Sequence, residues 1–260
     1  MPDRPLAILK FGGSILHDRS CLPLVVDECH RIIDGGRRVI AVISAYRGLT
    51  DQLAARWAEE SATARPDRAV ALSAGEFQAA TDTQEALHAA GIPARVGDLA
   101  AIGFRATGDP LDADPVGLDV GALEAMLQHQ EVVVIPGFVA LDPSDRLVLL
   151  GRGGSDLTAI HLACRMRPDQ CDLLKDVDGI YATDPANAGP DARDDLSRFE
   201  RLDFSHAGRL GDQVIQAKAL ALAEAHGLEF RVRSVGDGAG TVIGSRPTVV
   251  ENDLSEDGIS

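Results

Sequence analysis

The run Arg38-Val-Ile-Ala-Val-Ile-Ser-Ala45 constrains the fold more than any other feature. It is apolar and β-branched, with no polar residue at every second position. A strand facing solvent on one side would alternate, so this one is expected to be buried on both faces, as in a parallel sheet covered by helices. Leu6 to Phe11 is a second such run and ends at Gly12-Gly13. Between them, Leu24, Val25, Ile32 and Ile33 recur at helical spacing, with Ser20 as the expected cap and Gly35-Gly36 as the stop. Further helices are expected over Thr50 to Ser61, Asp67 to Ala90 and Asp119 to Gln128. Strands follow at Ala94 to Val96 and Glu131 to Ile135, then a hairpin over Val139 to Leu150 that turns at Pro143-Ser144-Asp145. A helix capped by Ser155, a strand at Asp172 to Lys175, one helix near Phe204 to His226 and a last strand at Glu229 to Val235 complete the alternation. The pattern reads as α/β with a mainly parallel central sheet. The expected internal break lies near residue 168. Asp184 to Asp195 reads as a surface loop, and residues 247–260 as a frayed acidic tail.

Composition narrows the function by exclusion. The 260 residues are 45% apolar and 25% charged, with a formal charge of −15. Such a surface repels nucleic-acid backbones and anionic membranes, although a local basic pocket still accommodates an anionic ligand. No window approaches the roughly 18 to 20 apolar residues of a membrane span, and the N-terminus lacks a signal-peptide profile. Cys21, Cys29, Cys164 and Cys171 form no CxxC and no zinc spacing with histidine, which is expected of reduced thiols in a cytoplasmic protein. Only Lys10, Lys175 and Lys218 are lysines.

Three glycine-rich strand ends hold the residues capable of chemistry. Lys10-Phe11-Gly12-Gly13-Ser14 can cradle a phosphate, because glycine amides approach an anion closely and the lysine adds a charge. It also fits a plain turn beside a surface lysine. There is no GxxxxGK[ST] loop. Gly151-Arg152-Gly153-Gly154-Ser155-Asp156 opens a helix whose N-terminal amides favour anions, and Arg152 can grip a carboxylate with two N–H groups. Asp156 also suits a first helical turn for structural reasons alone. Lys175-Asp176-Val177-Asp178-Gly179-Ile180-Tyr181 closes an apolar strand with charged residues, either a ligand edge or only a turn.

Taken in order, KFGGS at 10–14, ISAYRGLTDQL at 43–53, LSAGE at 72–76, VVVIPGFVALD at 132–142, GRGGSDLTA at 151–159, DVDGIYATDP at 176–185 and FRVRSVGDGAGTVIG at 230–244 resemble the amino acid kinase superfamily. The resemblance is greatest to the catalytic domain of aspartate kinases. It implies a three-layer α/β/α sandwich formed by residues 1–246, with the acceptor bound by about 1–167 and the nucleotide by about 168–246. It implies transfer from MgATP to a carboxylate, most simply that of L-aspartate or a related amino acid, giving an acyl phosphate. Such transfer rests on alignment and charge neutralisation. On this resemblance Lys10 neutralises the moving phosphoryl group, Asp156 orients Lys10, and Gly12 and Gly13 offer amides. Arg152 holds the acceptor α-carboxylate and Glu76 its amino group, although a glutamate on a helix also fits a plain exposed position. Ser14, Thr50 and Ser155 add hydroxyl contacts, and Asp176, Asp178, Tyr181 and Asp184 line the nucleotide side. Magnesium arrives on the nucleotide, and a homodimer is implied.

The resemblance breaks in two places. Aspartate kinases carry regulatory ACT domains after the catalytic domain, whereas this sequence stops about 16 residues past Gly244. The expectation is a chain without one, regulated if at all by a separate chain. The aspartate-kinase pattern also reads roughly G-A-K-V-L-H-P where this chain has Gly211 to Ala217, so Gln213 replaces a phosphate-directed lysine. Lys218 lies five residues on, about 500° around a helix and off that face. Lys175 is the expected substitute, as in molybdenum storage proteins, unless it merely reaches solvent. Two other readings remain: a nucleotide-binding or storage protein with little transfer activity, and a kinase of a phosphate or phosphonate acceptor.

Overall fold

In the computed structural model, β1 (Leu6–Phe11) and β2 (Arg38–Ile43) are each buried along all but their first residue and pair in parallel. Their side chains divide strictly between two cores. Ile8, Ile40 and Val42 enter one, while Ala7, Leu9, Phe11, Val39 and Ala41 enter the other. This two-sided burial is what the unbroken apolar runs demand. The structure describes residues 4–59, 67–182, 197–211, 215–236 and 238–251.

Helix α1 (Leu22–Asp34) joins β1 to β2. After β2 come α2 (Leu49–Glu59), α3 (Arg68–Ala89) and β3 (Ala94–Val96), then a hairpin of β4 (Arg105–Asp109) and β5 (Asp112–Gly117). Next are α4 (Val120–Leu127), β6 (Val132–Pro136), β7 (Val139–Leu141), β8 (Leu147–Leu149), α5 (Gly154–Met166) and β9 (Gln170–Leu174). The chain closes with β10 (Phe199–Asp203), α6 (Phe204–Leu210), α7 (Ala217–His226), β11 (Phe230–Arg233), β12 (Thr241–Gly244) and β13 (Val249–Val250). Among the described residues one sheet runs β13-β10-β12-β11-β9-β1-β2-β6-β3, and a smaller one runs β5-β4-β7-β8. The large sheet is parallel except at β11–β12 and β10–β13. Helices α1 and α3 cover one face and α5 and α7 the other, giving the three-layer sandwich. Because β9 lies directly beside β1, the sheet continues unbroken past residue 168.

Helix α3 belongs to both cores. Ala69 and Leu72 join the core of α5, whereas Ala79, Ala80 and Leu87 join that of α1. Glu76 therefore sits where the helix crosses from one layer to the other. On the α1 side lies a charged cluster: Arg233, 1% exposed, binds both Asp172 of β9 and Glu28 of α1. Arg231 and Arg31 add to these carboxylates. Burial pushes both acids up, but the surrounding guanidinium groups outweigh it and hold both below their usual range.

Several expectations are corrected. Asp18, not Ser20, is the first cap: its carboxylate accepts from the Ser20 amide over a 3-10 turn at Arg19–Cys21, and α1 starts only at Leu22. Gly153, in a left-handed conformation, caps α5 in place of Ser155. The helix expected over Phe204 to His226 is two, because α6 closes on Gly211 and α7 restarts after Gln216. The β4–β5 hairpin, β10, β12 and β13 were not anticipated, so β11 is not the last strand. Val249–Val250 pairs with β10, and Glu251 binds Arg198, so an edge strand occupies the start of the expected tail. Residues 252–260 lie outside the described part.

Candidate active site

Lys10 is the next-to-last residue of β1, with its side chain on the α5 side of the sheet, and Asp156 stands in the first turn of α5. The Lys10 ammonium lies 2.6 Å from Asp156 Oδ1. A Cβ at Gly12 would come within 2.7 Å of Lys10 Nζ, so the lysine head lies over the bare backbone of the glycine turn. Lys175 directly follows β9, the strand beside β1, and its amide is held by the Arg233 carbonyl. Burial pushes its ammonium below the usual lysine range; Asp156 opposes this and Lys10 adds to it. Three expected residues, Lys10, Asp156 and Lys175, are thus brought into one electrostatic group.

A cleft of about 470 Å³ opens beside them, lined by Lys10, Gly13, Thr50, Glu76, Arg152 and Ser155 among others. Arg152 is exposed between Gly151 (φ 76°) and Gly153 (φ 73°). Both glycines occupy a region that side chains resist, and this pair of left-handed residues presents the arginine at the cleft. Glu76 is 3% exposed, and its Oε2 has no hydrogen-bond partner among the described residues. Burial raises its carboxyl to about 8, against a smaller opposing effect of backbone amides, Ala45 among them. A buried acid oxygen that faces a cleft without a partner is costly unless a ligand cation completes it. The plain exposed helix position is therefore excluded for Glu76.

Ser14 lies in the turn after Gly13 and does not line this cleft. The sequence reading missed Ser44, Asp51, Arg68 and Phe138, which do. Ser44 simply continues β2 past Ile43. Phe138 has φ 70°, a conformation that costs a bulky residue about 1–3 kcal/mol; its amide donates to Thr158 Oγ1. A PGF triplet after an apolar strand was its only signal.

The nucleotide-side residues divide. Asp176 is exposed beside Lys175. Asp178 accepts from Tyr181 Oη at 2.7 Å and from Arg198, so these groups brace their own loop. Asp184 and Gln213 lie outside the described residues. Among the described residues no group of three or more His, Cys, Asp or Glu side chains could hold a metal, and no helix is long and apolar enough to cross a membrane.

The chain is 30% identical over 242 residues to the aspartate kinase Ask_LysC of Stutzerimonas stutzeri, covering 92% of this chain and 58% of that one. It thus spans somewhat over half the length of the curated relatives it matches. The aspartate kinase structure from Synechocystis superposes with a TM-score of 0.77 at 27% identity, over 93% of this chain and 40% of the other. Aspartokinase III of E. coli, solved in complex with aspartate and ADP, shares the fold with a TM-score of 0.77 at 22% identity, over 93% of this chain and 65% of the other. The description "Amino acid kinase family" matches residues 5–234, from the start of β1 to the end of β11, and the chain belongs to that family.

Proposed function

We propose that this protein transfers the γ-phosphoryl group of MgATP to the side-chain carboxylate of an α-amino acid, with L-aspartate the first candidate. The observation that carries this reading is the pairing of Glu76 and Arg152 in one cleft. An α-amino acid presents an ammonium and a carboxylate on adjacent groups. Glu76 offers a buried carboxyl with one unpartnered oxygen to the first, and Arg152 offers a forked donor to the second. That grip leaves the acceptor's side chain free to reach Lys10. A phosphate or phosphonate acceptor would instead bring more negative charge toward Glu76, so the amino-acid reading is favoured. The aspartate and ADP bound by the E. coli relative support the same choice.

In the transfer, an acceptor carboxylate oxygen forms a bond to the γ-phosphorus as the bond from phosphorus to the β,γ-bridging oxygen breaks, releasing ADP. Lys10 and Lys175 offset charge on the phosphoryl oxygens, the Gly12–Gly13 backbone provides amides, and Asp156 keeps Lys10 in place. Thr50 and Ser155 border the acceptor; Ser14 and Gln213 are assigned to the acceptor and nucleotide edges by resemblance only. Asp176, Asp178, Tyr181 and Asp184 make up the nucleotide edge, so the acceptor and nucleotide parts divide near residue 167. Magnesium, carried on the nucleotide, supplies charge neutralisation at its phosphates. The proposal extends by family resemblance to a cytoplasmic homodimer, which sedimentation of the purified chain checks.

The test is ADP release from MgATP with L-aspartate and a panel of related amino acids, with hydroxylamine added to trap acyl phosphate. Acceptor-dependent ADP with an equal yield of hydroxamate is expected. Tight ATP binding without turnover on any acid would overturn the reading.

A further inference from the structure

The third lysine holds the acceptor loop from outside. Lys218, in the first turn of α7, donates to the Asp112 carbonyl oxygen at 2.9 Å and to Asp112 Oδ1 at 2.8 Å, and lies 3.0 Å from Asp114 Oδ1. Asp112 in turn pairs through its backbone with Leu150. Its carboxylate rests against Gly151 so closely that a Cβ there would collide with Oδ1. Two residues before Lys218, Gln216 donates to the Leu150 carbonyl at 3.4 Å, and its Cβ lies 3.0 Å from where a Gly153 Cβ would stand. The start of α7 therefore touches the loop at Leu150 and Gly153, and through Asp112 at Gly151. Arg152 is the residue between them.

We propose that Lys218 is a positioning residue for Arg152: by fixing Asp112 against Gly151, it holds the acceptor-binding loop in the left-handed geometry that aims the arginine into the cleft. This rests on the functional reading above for the identity of the ligand Arg152 meets. An exposed ion pair adds little to overall stability. A loop displaced by an ångström, in contrast, weakens a positioned contact many-fold. Lys218 should therefore matter to acceptor binding far more than to folding. The link also makes acceptor affinity depend on the C-terminal part of the chain, where α7 lies.

The experiment compares the full chain with Lys218→Met and Lys218→Arg. One arm measures kcat and both KM values with the amino acid that gives hydroxamate; the other measures amide hydrogen exchange over Leu150 to Gly154. For Lys218→Met the acceptor KM should rise roughly tenfold, with the ATP KM within about twofold and exchange across the loop accelerated. Lys218→Arg should restore both, because its guanidinium reaches the same carboxylates. An acceptor KM within about twofold of wild type, equal changes in both KM values, or an unchanged exchange pattern in Lys218→Met would overturn the proposal. If wild type turns over no acid in the panel, the functional reading fails, and the exchange arm alone decides whether Lys218 holds the loop.

Discussion

Lys10 and Asp156 form a buried ion pair between the end of β1 and the first turn of α5, with Nζ 2.6 Å from Oδ1. The carboxylate fixes where the ammonium stands, so the two act as a unit. Lys10→Ala should reduce turnover by about 10³-fold while ADP affinity stays within a few-fold. Asp156→Asn should cost less, about 10²-fold, since the lysine keeps its charge and loses its orientation. Single-turnover kinetics with parallel ADP titration separates these effects.

Glu76 gives a pH signature. Its carboxyl is raised to about 8 by burial, so the unfolded chain releases this proton at lower pH than the folded one. The residue's contribution to stability is thus fully present below about pH 4.5, falls as pH rises, and is lost above about pH 8. Glu76→Gln should make the ligand-free protein more stable at pH 8 by a few kcal/mol, on the order of the shift itself. The same variant should lose acceptor affinity at least tenfold. Denaturation curves at pH 5 and pH 8, with acceptor KM values, check both halves. A second consequence is proton release when an amino acid binds near pH 7.5, readable as buffer-dependent binding heat.

Arg152→Ala should raise the acceptor KM by about 10²-fold and leave the ATP KM nearly unchanged, because the side chain is exposed and adds little to the fold. Steady-state kinetics with each substrate varied in turn decides this, and equal effects on both would remove the residue from the acceptor site.

Lys175 should set an alkaline limit. Its ammonium is held below the ordinary lysine range chiefly by burial, so it loses its charge at lower pH than a free lysine does. Turnover should fall on the alkaline side through that lowered pKa. Lys175→Arg should move this limb to higher pH, and Lys175→Met should flatten it at a rate about 10²-fold lower. A pH–rate profile of the three proteins is the check.

The buried charges around Arg233 predict acid sensitivity. Glu28 and Asp172 have lowered pKa values, so their stabilising contribution is present above the unfolded range near pH 4 and is lost as pH falls through the folded values. Arg233→Met should destabilise by about 3–5 kcal/mol by leaving two buried acids under-compensated. Replacing Arg233, Glu28 and Asp172 together by apolar residues should recover much of that loss, as urea denaturation at pH 7 would show.

What the sequence disclosed follows from which forces are local. The runs of β1 and β2 name their own burial, and Asp67 and Asp119 announce their helices as caps. The β4–β5 hairpin was invisible because its residues are mostly polar, small or exposed, and its strands are defined by pairing rather than by a buried face. Ser155 read as a cap because serine favours that position; the left-handed Gly153 takes the role and leaves Ser155 beside the cleft. The acceptor site was only half legible. Lys10, Arg152 and Asp156 stand beside glycines that mark them, whereas the burial of Glu76 depends on how α3 crosses between two cores. No neighbour in sequence encodes that crossing.

The pairing of β9 with β1 joins strands that are far apart in the chain; the bond from the Leu6 amide to Asp169 Oδ2 at their start spans 163 residues. During synthesis β1 and β2 can pair early, but one whole edge of β1 then stays bare until β9, at Gln170–Leu174, has been made. A bare, apolar edge is a template for pairing with the wrong chain. The strand that carries Lys10 is therefore exposed to aggregation in the nascent protein, and arrival of β9 both seals that edge and brings Lys175 to the site.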